Sequence, residues 1–240
     1  MSEANVGKTF VLVPGAWLGG WAWHPVARLL RERGYAVVTL TLPGLSYGSS
    51  PAGLRLADAV DFVVSEVEHR DLSDVILVSH SWGGYPATGA AHTLASRVSK
   101  IIYYNAVVPA QGASMADENA AYGQAIHASI ADSPEGTVPL PLDALRMGLM
   151  QDESAELQQL VFAMMLPQPG GYMVDVLDVP EVTTIGLDAA YVLGVDDISL
   201  ARPGAEFAAR LGVEPLMVSG SHMAMLSHPE SVADAFVSLL

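Results

Sequence analysis

The sequence predicts an α/β fold, with a mostly parallel sheet of about six strands and helices on both faces. Short β-branched runs alternate with helix-like stretches along most of the 240 residues. The run Val75–Val78 is wholly aliphatic, which is typical of a strand that helices bury on both sides. Pro-Gly pairs close the first two runs, as expected where a strand leaves a sheet. Because ligand sites of such sheets lie at the carboxyl ends of the strands, the loops there are the place to look for chemistry.

Each element follows from a local pattern. Strands are predicted where β-branched and aromatic residues run into turn residues, at Thr9–Val13, Ala36–Leu42, Val75–Val78, Ile101–Tyr104, Ala189–Leu193 and Pro215–Val218. Helices are predicted for the stretches between and after them, at Trp23–Arg33, Leu56–His69, a stretch ending near Ser96, Gly204–Leu211 and the segment from Pro229. Residues 106–185 break this rhythm because they contain no clear strand. We interpret them as a mostly helical insertion into a core formed by residues 1–105 and 186–240.

Composition excludes several classes of protein. A net charge of −15 argues against nucleic acid and anionic membrane surfaces as partners. The absence of cysteine excludes a disulfide framework, a thiolate zinc site and a cysteine nucleophile. No run approaches the ~20 apolar residues of a membrane span. The N-terminal stretch Met1–Thr9 is polar and unlike a signal peptide, so we expect a cytoplasmic protein.

A candidate nucleophile follows the strand Val75–Val78. The turn there reads Ser79-His80-Ser81-Trp82-Gly83-Gly84. It resembles the G-x-S-x-G nucleophile elbow, with Ser79 in the first glycine position. Small neighbours let such a turn lift a serine hydroxyl out of the sheet at a helix N-terminus. The alternative is a tight packing turn in which Ser81 only caps the helix.

Two further loops offer the partners that a serine nucleophile needs. The loop after Pro215–Val218 contains His222, which suits a general base. The loop after Ala189–Leu193 contains Asp196 and Asp197, either of which could orient the histidine. The resulting chain order is serine, aspartate, histidine.

Together these motifs resemble the α/β-hydrolase branch that holds plant methyl-ester esterases, hydroxynitrile lyases and small bacterial hydrolases. The matching segments are Phe10–Trp17, the elbow, Leu166–Pro169, Tyr191–Asp197 and Gly220–Leu226. Pro14 stands where the family has a histidine. The family's G-x-x-D spacing selects Asp197 as the acid. In this family the backbone N–H of the residue after the nucleophile, here Trp82, and one from the first-strand loop, here Ala16, hold the oxyanion.

The resemblance also implies that the insertion forms a cap over Ser81. We expect its methionines and aromatic residues to build an adaptable apolar pocket. The candidate pocket residues are Gly15, Trp17, Tyr122, His127, Phe162 and Met223. In the lyases a threonine commonly takes the place of Gly15 and a lysine that of Met223, so cyanohydrin cleavage is disfavoured here.

These observations predict a serine hydrolase that cleaves a carboxylic ester or lactone of a small, largely apolar molecule through an acyl-enzyme. The chemistry requires neither a metal nor an organic cofactor, and we expect none. Two alternatives stay open: elimination or acyl transfer on the same scaffold, and ligand binding by a protein with a vestigial triad. The sequence leaves the oligomeric state open, a homodimer included.

Overall fold

A parallel sheet of six strands forms the centre of the computed structural model, which describes residues 7–240. The first six residues, part of the predicted core and of the polar N-terminal stretch, lie outside this range. The strands follow the spatial order β2-β1-β3-β4-β7-β8, and every neighbouring pair is parallel. They are β1 Thr9–Val13, β2 Ala36–Thr39, β3 Val75–Ser81, β4 Val98–Ala106, β7 Asp188–Gly194 and β8 Leu216–Val218. The predicted fold class is confirmed.

The helices of the described residues lie on both faces of this sheet and in the segment between β4 and β7. They are α1 His24–Glu32, α2 Leu56–His69, α3 Gly84–Thr93, α4 Ala120–Asp132, α5 Leu142–Ala144, α6 Ala155–Met164, α7 Gly170–Val174, α8 Gly204–Arg210, α9 Ala224–Ser227 and α10 Pro229–Ser238. Helices α2 and α3 pack together, as do α1 and α10. No helix among residues 7–240 is both long and apolar enough to cross a bilayer.

The strands divide their side chains between two cores because successive residues of a strand point to opposite faces. In β1, Val11 and Val13 join one core while Phe10 and Leu12 join the other. All four are fully buried. This double burial explains why the strands are aliphatic without a polar-apolar alternation.

The segment between β4 and β7 is largely helical, as the sequence predicts. It contains α4 to α7 and a π-helical turn at Leu145–Leu149. It also contains one feature that the sequence did not reveal, an antiparallel pair of two-residue strands, β5 Thr137–Val138 and β6 Gln168–Pro169. Strands this short are too brief to show any periodic pattern. The exact division of the chain into core and insertion stays a prediction.

The strand order sets the position of the site. The chain runs from β1 to β2 at one edge and then crosses to β3 on the other side of β1. The carboxyl ends of β1 and β3 therefore flank a point where the connections diverge, the usual place for a ligand in such sheets. The loop after β1 and the turn after β3 meet there.

Candidate active site

Ser81 is the last residue of β3, at the point where the strand turns toward α3. Ser81 has a φ of +54°, a left-handed conformation that a non-glycine residue adopts only under constraint. Glycine is required two and three residues after Ser81, because a side chain would clash there. A Cβ on Gly83 would lie 2.5 Å from the Pro14 carbonyl oxygen, and one on Gly84 would lie 1.8 Å from that of Val107. The local sequence therefore builds a strained strand-to-helix turn that exposes one hydroxyl.

His222 joins Ser81 to Asp197. The Ser81 Oγ lies 2.9 Å from His222 Nε2, and His222 Nδ1 lies 2.9 Å from Asp197 Oδ2. The Asp197 side chain is fully buried, and its Oδ1 accepts the Ser199 N–H at 2.8 Å. With the Nδ1 proton donated to the carboxylate, Nε2 is left free to accept the Ser81 proton. The neighbouring Asp196 is exposed.

Two buried side chains that sequence reasoning did not place in the site hold the backbone of His222. His80 Nε2 donates to the His222 carbonyl oxygen at 3.0 Å, and Asn105 Nδ2 donates to the same oxygen at 3.0 Å. A carbonyl oxygen only accepts, so the proton of His80 resides on Nε2. The sequence carries no signal for either contact, because Asn105 and His80 lie far from His222 along the chain.

The loop after β1 and the turn after β3 present the candidate oxyanion donors. The hydrogen bonds within residues 7–240 leave the N–H groups of Ala16 and Trp82 without a protein acceptor. The next N–H along the loop, that of Trp17, is already donated to Gln168 Oε1 at 2.9 Å. Trp17 also donates its indole N–H to the Val138 carbonyl oxygen at 2.8 Å, which ties the loop to the insertion.

A cavity of about 400 Å³ opens above Ser81 and His222. Its lining is apolar apart from a few hydroxyl groups and His222, and it contains no Lys, Arg, Asp or Glu side chain. The lining residues are Trp17, Ser81, Met115, Tyr122, Leu140, Ala144, Met147, Gly148, Leu149, Ile198, Ser199, Leu200 and His222. Burial raises the pKa of Tyr122 to about 12, so its hydroxyl stays neutral.

Comparison with known proteins identifies the family. A family model described as "Alpha/beta hydrolase family" matches residues 10–235. The chain belongs to the alpha/beta hydrolase family. An extracellular α/β-hydrolase from a Paenibacillus species has the same fold, with a TM-score of 0.90 at 24% identity over 97% of this chain and 98% of that one. The resemblance noted in the sequence is thereby confirmed.

Curated relatives of this hydrolase include esterases. A carbendazim hydrolyzing esterase from Nocardioides sp. (strain SG-4G) is 39% identical over 108 residues. That match covers 44% of this chain and 45% of that protein, less than half of each. Polyneuridine aldehyde esterase from Rauvolfia serpentina is 25% identical over 99% of this chain and 97% of its own length.

The candidate pocket residues predicted from the sequence do not all line this cavity. Trp17 and Tyr122 line the cavity. His127 is exposed on α4, and Phe162 lines a smaller neighbouring cavity of about 150 Å³. Met223 is buried in one of the two cores and does not line the cavity. Helix direction and burial decide these placements, and neither can be read from residue type alone.

Gly15 packs against Ser81 and is not part of the cavity lining. A Cβ at this position would lie 2.8 Å from the Ser81 Cβ and 2.7 Å from His80 Nδ1. We therefore expect Gly15→Ala to displace Ser81 and lower kcat/KM for a neutral ester by about 10- to 100-fold. Gly89→Ala is the matched control, because it forces a similar clash with Val60 between α3 and α2. Equal activity losses in the two variants would contradict a specific effect on Ser81.

Acidification should destabilise this hydrolase through His80. Burial lowers the pKa of His80 well below its ordinary value of 6.5, and the neighbouring His222 adds to the shift. Below about pH 6.5 the unfolded chain binds a proton at His80 that the folded protein does not bind. The free energy of unfolding should therefore fall by up to about 1.4 kcal/mol per pH unit as the pH drops below that value, with no loss from His80 above it.

Urea unfolding across this pH range would test the effect. The matched variant is His80→Gln, which keeps an N–H donor for the His222 carbonyl oxygen but cannot titrate. Its free energy of unfolding should depend less on pH than that of the wild type. Identical pH dependence in the two proteins would refute the assignment.

One group within residues 7–240 has the composition of a metal site, and it lies away from the cavity lining. Asp152, Glu153 and His228 place one ligand atom each within 4.8 Å of one another. Asp152 already accepts the Ser221 N–H at 2.9 Å, and exposed acidic groups of this kind are common without an ion.

Proposed function

We propose that this α/β-hydrolase is a serine esterase that cleaves a carboxylic ester or lactone through an acyl-enzyme. The observation that carries the proposal is the continuous hydrogen-bond chain from Asp197 through His222 to Ser81, at the floor of an apolar cavity. A solitary serine is a weak nucleophile, and a positioned base is what activates it. Relatives that are named esterases support the same reading.

The proposed reaction has two steps. Ser81 Oγ attacks the ester carbonyl carbon while its proton passes to His222 Nε2, and the N–H groups of Ala16 and Trp82 hold the oxyanion. The imidazolium then donates that proton to the departing alcohol oxygen. In the second step His222 takes a proton from water, the hydroxyl attacks the acyl-enzyme, and the acid leaves as Ser81 regains its proton. Asp197 holds the Nδ1–H and stabilises the imidazolium in both steps.

The cavity supports a small, neutral, largely apolar substrate. Burying a charged group in this uncharged lining would cost its hydration without offering a partner. Methionines and leucines contribute much of the surface, and such side chains adapt to irregular apolar shapes. Met223 is buried outside the cavity lining, so that position presents no group to a departing anion.

Fluorophosphonate labelling tests the proposed nucleophile. Intact mass should show one adduct on the folded wild type, and peptide mapping should place it on Ser81. Ser79 is the internal control because it is fully buried in the same turn and should remain unlabelled. No adduct on the folded protein would refute this mechanism.

The products of the reaction give a second test. A neutral ester should yield acid plus alcohol, and an alkene or a new ester would indicate elimination or acyl transfer instead.

Leu140 should limit the length of the substrate. It lies, with Trp17, in the lining of both the 400 Å³ cavity and the neighbouring cavity of about 150 Å³. We expect Leu140→Ala to raise the kcat/KM ratio of a longer over a shorter p-nitrophenyl ester by about fourfold for each CH₂ group that enters the neighbouring cavity, since each buried CH₂ contributes about 0.8 kcal/mol. Leu160→Ala, on the exposed face of α6, is the matched control. An unchanged ratio in Leu140→Ala would show that the two cavities do not join.

A further inference from the structure

Asn105 occupies a central place between the loops of the site. It lies near the carboxyl end of β4 and is fully buried. Strand β4 pairs with β3, which carries Ser81, and with β7, which leads to Asp197. The φ of Asn105 is +43°, a left-handed conformation that asparagine tolerates better than most non-glycine residues. A buried polar residue with a left-handed backbone is uncommon, and the contacts of its side chain explain its presence here.

The amide of Asn105 is fully used. Its Oδ1 accepts the Gly194 N–H at 2.7 Å, and its Nδ2 donates to the carbonyl oxygens of Ser221 at 3.2 Å and His222 at 3.0 Å. The orientation of the amide follows from its partners, because a backbone N–H only donates and a carbonyl oxygen only accepts. Aspartate or leucine could not make this set of bonds.

The bonds of Asn105 reach two of the three loops that hold the triad residues. Gly194 lies three residues before Asp197, and His222 is itself one of the three residues in the hydrogen-bond chain from Asp197 to Ser81. Just after the end of β4, the Val107 N–H donates to the Ser81 carbonyl oxygen at 3.1 Å, which connects this end of the strand to the third loop. The buried Asn105 amide thus bonds both to the loop that leads to Asp197 and to the loop that contains His222. The strand that carries it ends beside Ser81.

We propose that Asn105 is a positioning residue that sets the place of His222 relative to Ser81 and Asp197. The inference rests on the proposed function in that it takes His222 as the base. Asn105 touches no reacting atom and acts through the backbone of His222, with His80 as the second donor to the same carbonyl oxygen. Without the amide the histidine loop can shift, and a displacement of about 1 Å in such a site can cost about 10²-fold in rate.

Two variants distinguish loss of the Asn105 amide from a general effect on folding. Asn105→Gly keeps the left-handed backbone without steric cost and removes the whole side chain. Asn105→Asp keeps the shape and the acceptor for Gly194 but turns a second oxygen toward the two carbonyl oxygens. The matched control is Tyr103→Phe, on the same strand, which removes a buried hydroxyl 2.6 Å from Thr88 Oγ1 and touches no triad residue.

The measurements are the rate of fluorophosphonate labelling, kcat and KM for p-nitrophenyl butyrate, thermal unfolding, and the downfield proton resonance of the His222–Asp197 hydrogen bond. Both Asn105 variants should slow labelling and lower kcat by about 10²-fold, with KM within a few-fold and the downfield resonance lost. Tyr103→Phe should lose stability but keep the rate and the resonance. Wild-type labelling rates and an intact resonance in either folded Asn105 variant would overturn the proposal.

The resonance also separates this proposal from the esterase proposal. A wild type that is never labelled would refute the esterase function. Loss of the resonance in the Asn105 variants, and not in Tyr103→Phe, would still support positioning in that case. Retention of the resonance would overturn it independently. If Asn105→Gly fails to fold, Asn105→Asp supplies the comparison.

Discussion

Replacing Ser81 by alanine is expected to lower kcat for a neutral ester by about 10⁴- to 10⁶-fold and to abolish fluorophosphonate labelling. In the proposed mechanism the hydroxyl is the attacking atom, and it lies 2.9 Å from His222 Nε2, the nitrogen proposed to take its proton. Its loss leaves the cavity and the oxyanion donors in place, so KM should change little. His222→Ala should cost a similar factor, and the double variant should cost no more than either single one because the two groups act as a unit.

Ser79→Ala is the matched control for this change. Ser79 lies two residues away in the same turn, and its hydroxyl is buried without a hydrogen-bond partner within the described chain. Removing a buried hydroxyl that makes no hydrogen bond should leave stability equal or higher, with activity within a few-fold of the wild type. A large loss in Ser79→Ala, or residual labelling at another serine in Ser81→Ala, would contradict the assignment of the nucleophile.

Asp197→Asn should lower kcat by about 10⁴-fold without unfolding the protein. The amide that replaces the carboxylate can donate to His222 Nδ1, which moves the ring proton to Nε2. Nε2 would then face the Ser81 Oγ as a donor and could no longer accept its proton. The variant also removes the charge that stabilises the imidazolium. Activity should rise more steeply with pH than in the wild type as hydroxide assists attack.

Asp196→Asn makes the same change one residue earlier. Asp196 is exposed, whereas the Asp197 side chain is fully buried against His222. We expect Asp196→Asn to keep kcat within a few-fold of the wild type. This pair of variants decides between the two aspartates that the chain offers, and a greater loss in Asp196→Asn would reverse the assignment.

The cavity narrows the range of substrates more than the family does. Members of one fold perform different reactions, so membership in the alpha/beta hydrolase family does not fix the substrate. On the proposed function, the uncharged lining of the 400 Å³ cavity is expected to favour a small neutral ester over a carboxylate-bearing one. Rates on neutral and carboxylate-bearing esters of equal size, compared at low and high salt, would test this directly.

Much of the framework could be predicted from the sequence. The strands Thr9–Val13 and Val75–Val78 and the helix Leu56–His69 appear within a few residues of their predicted bounds. Aliphatic runs, helical spacing and glycine turns are local signals, and the parallel order brings the ends of the strands to one edge. The loops that contain Ser81, Asp197 and His222 could therefore be expected to meet.

The sequence by itself determined the elements, the loops that approach one another and the residue types that those loops carry, because these depend on short stretches of chain. Only the tertiary structure decided which side chains turn inward. It placed Met223 in the core, exposed His127, and joined Asn105 to residues more than a hundred positions away, whereas the family's G-x-x-D spacing already selects Asp197 over Asp196. Such contacts depend on how separate elements pack against each other, and no local pattern records that packing.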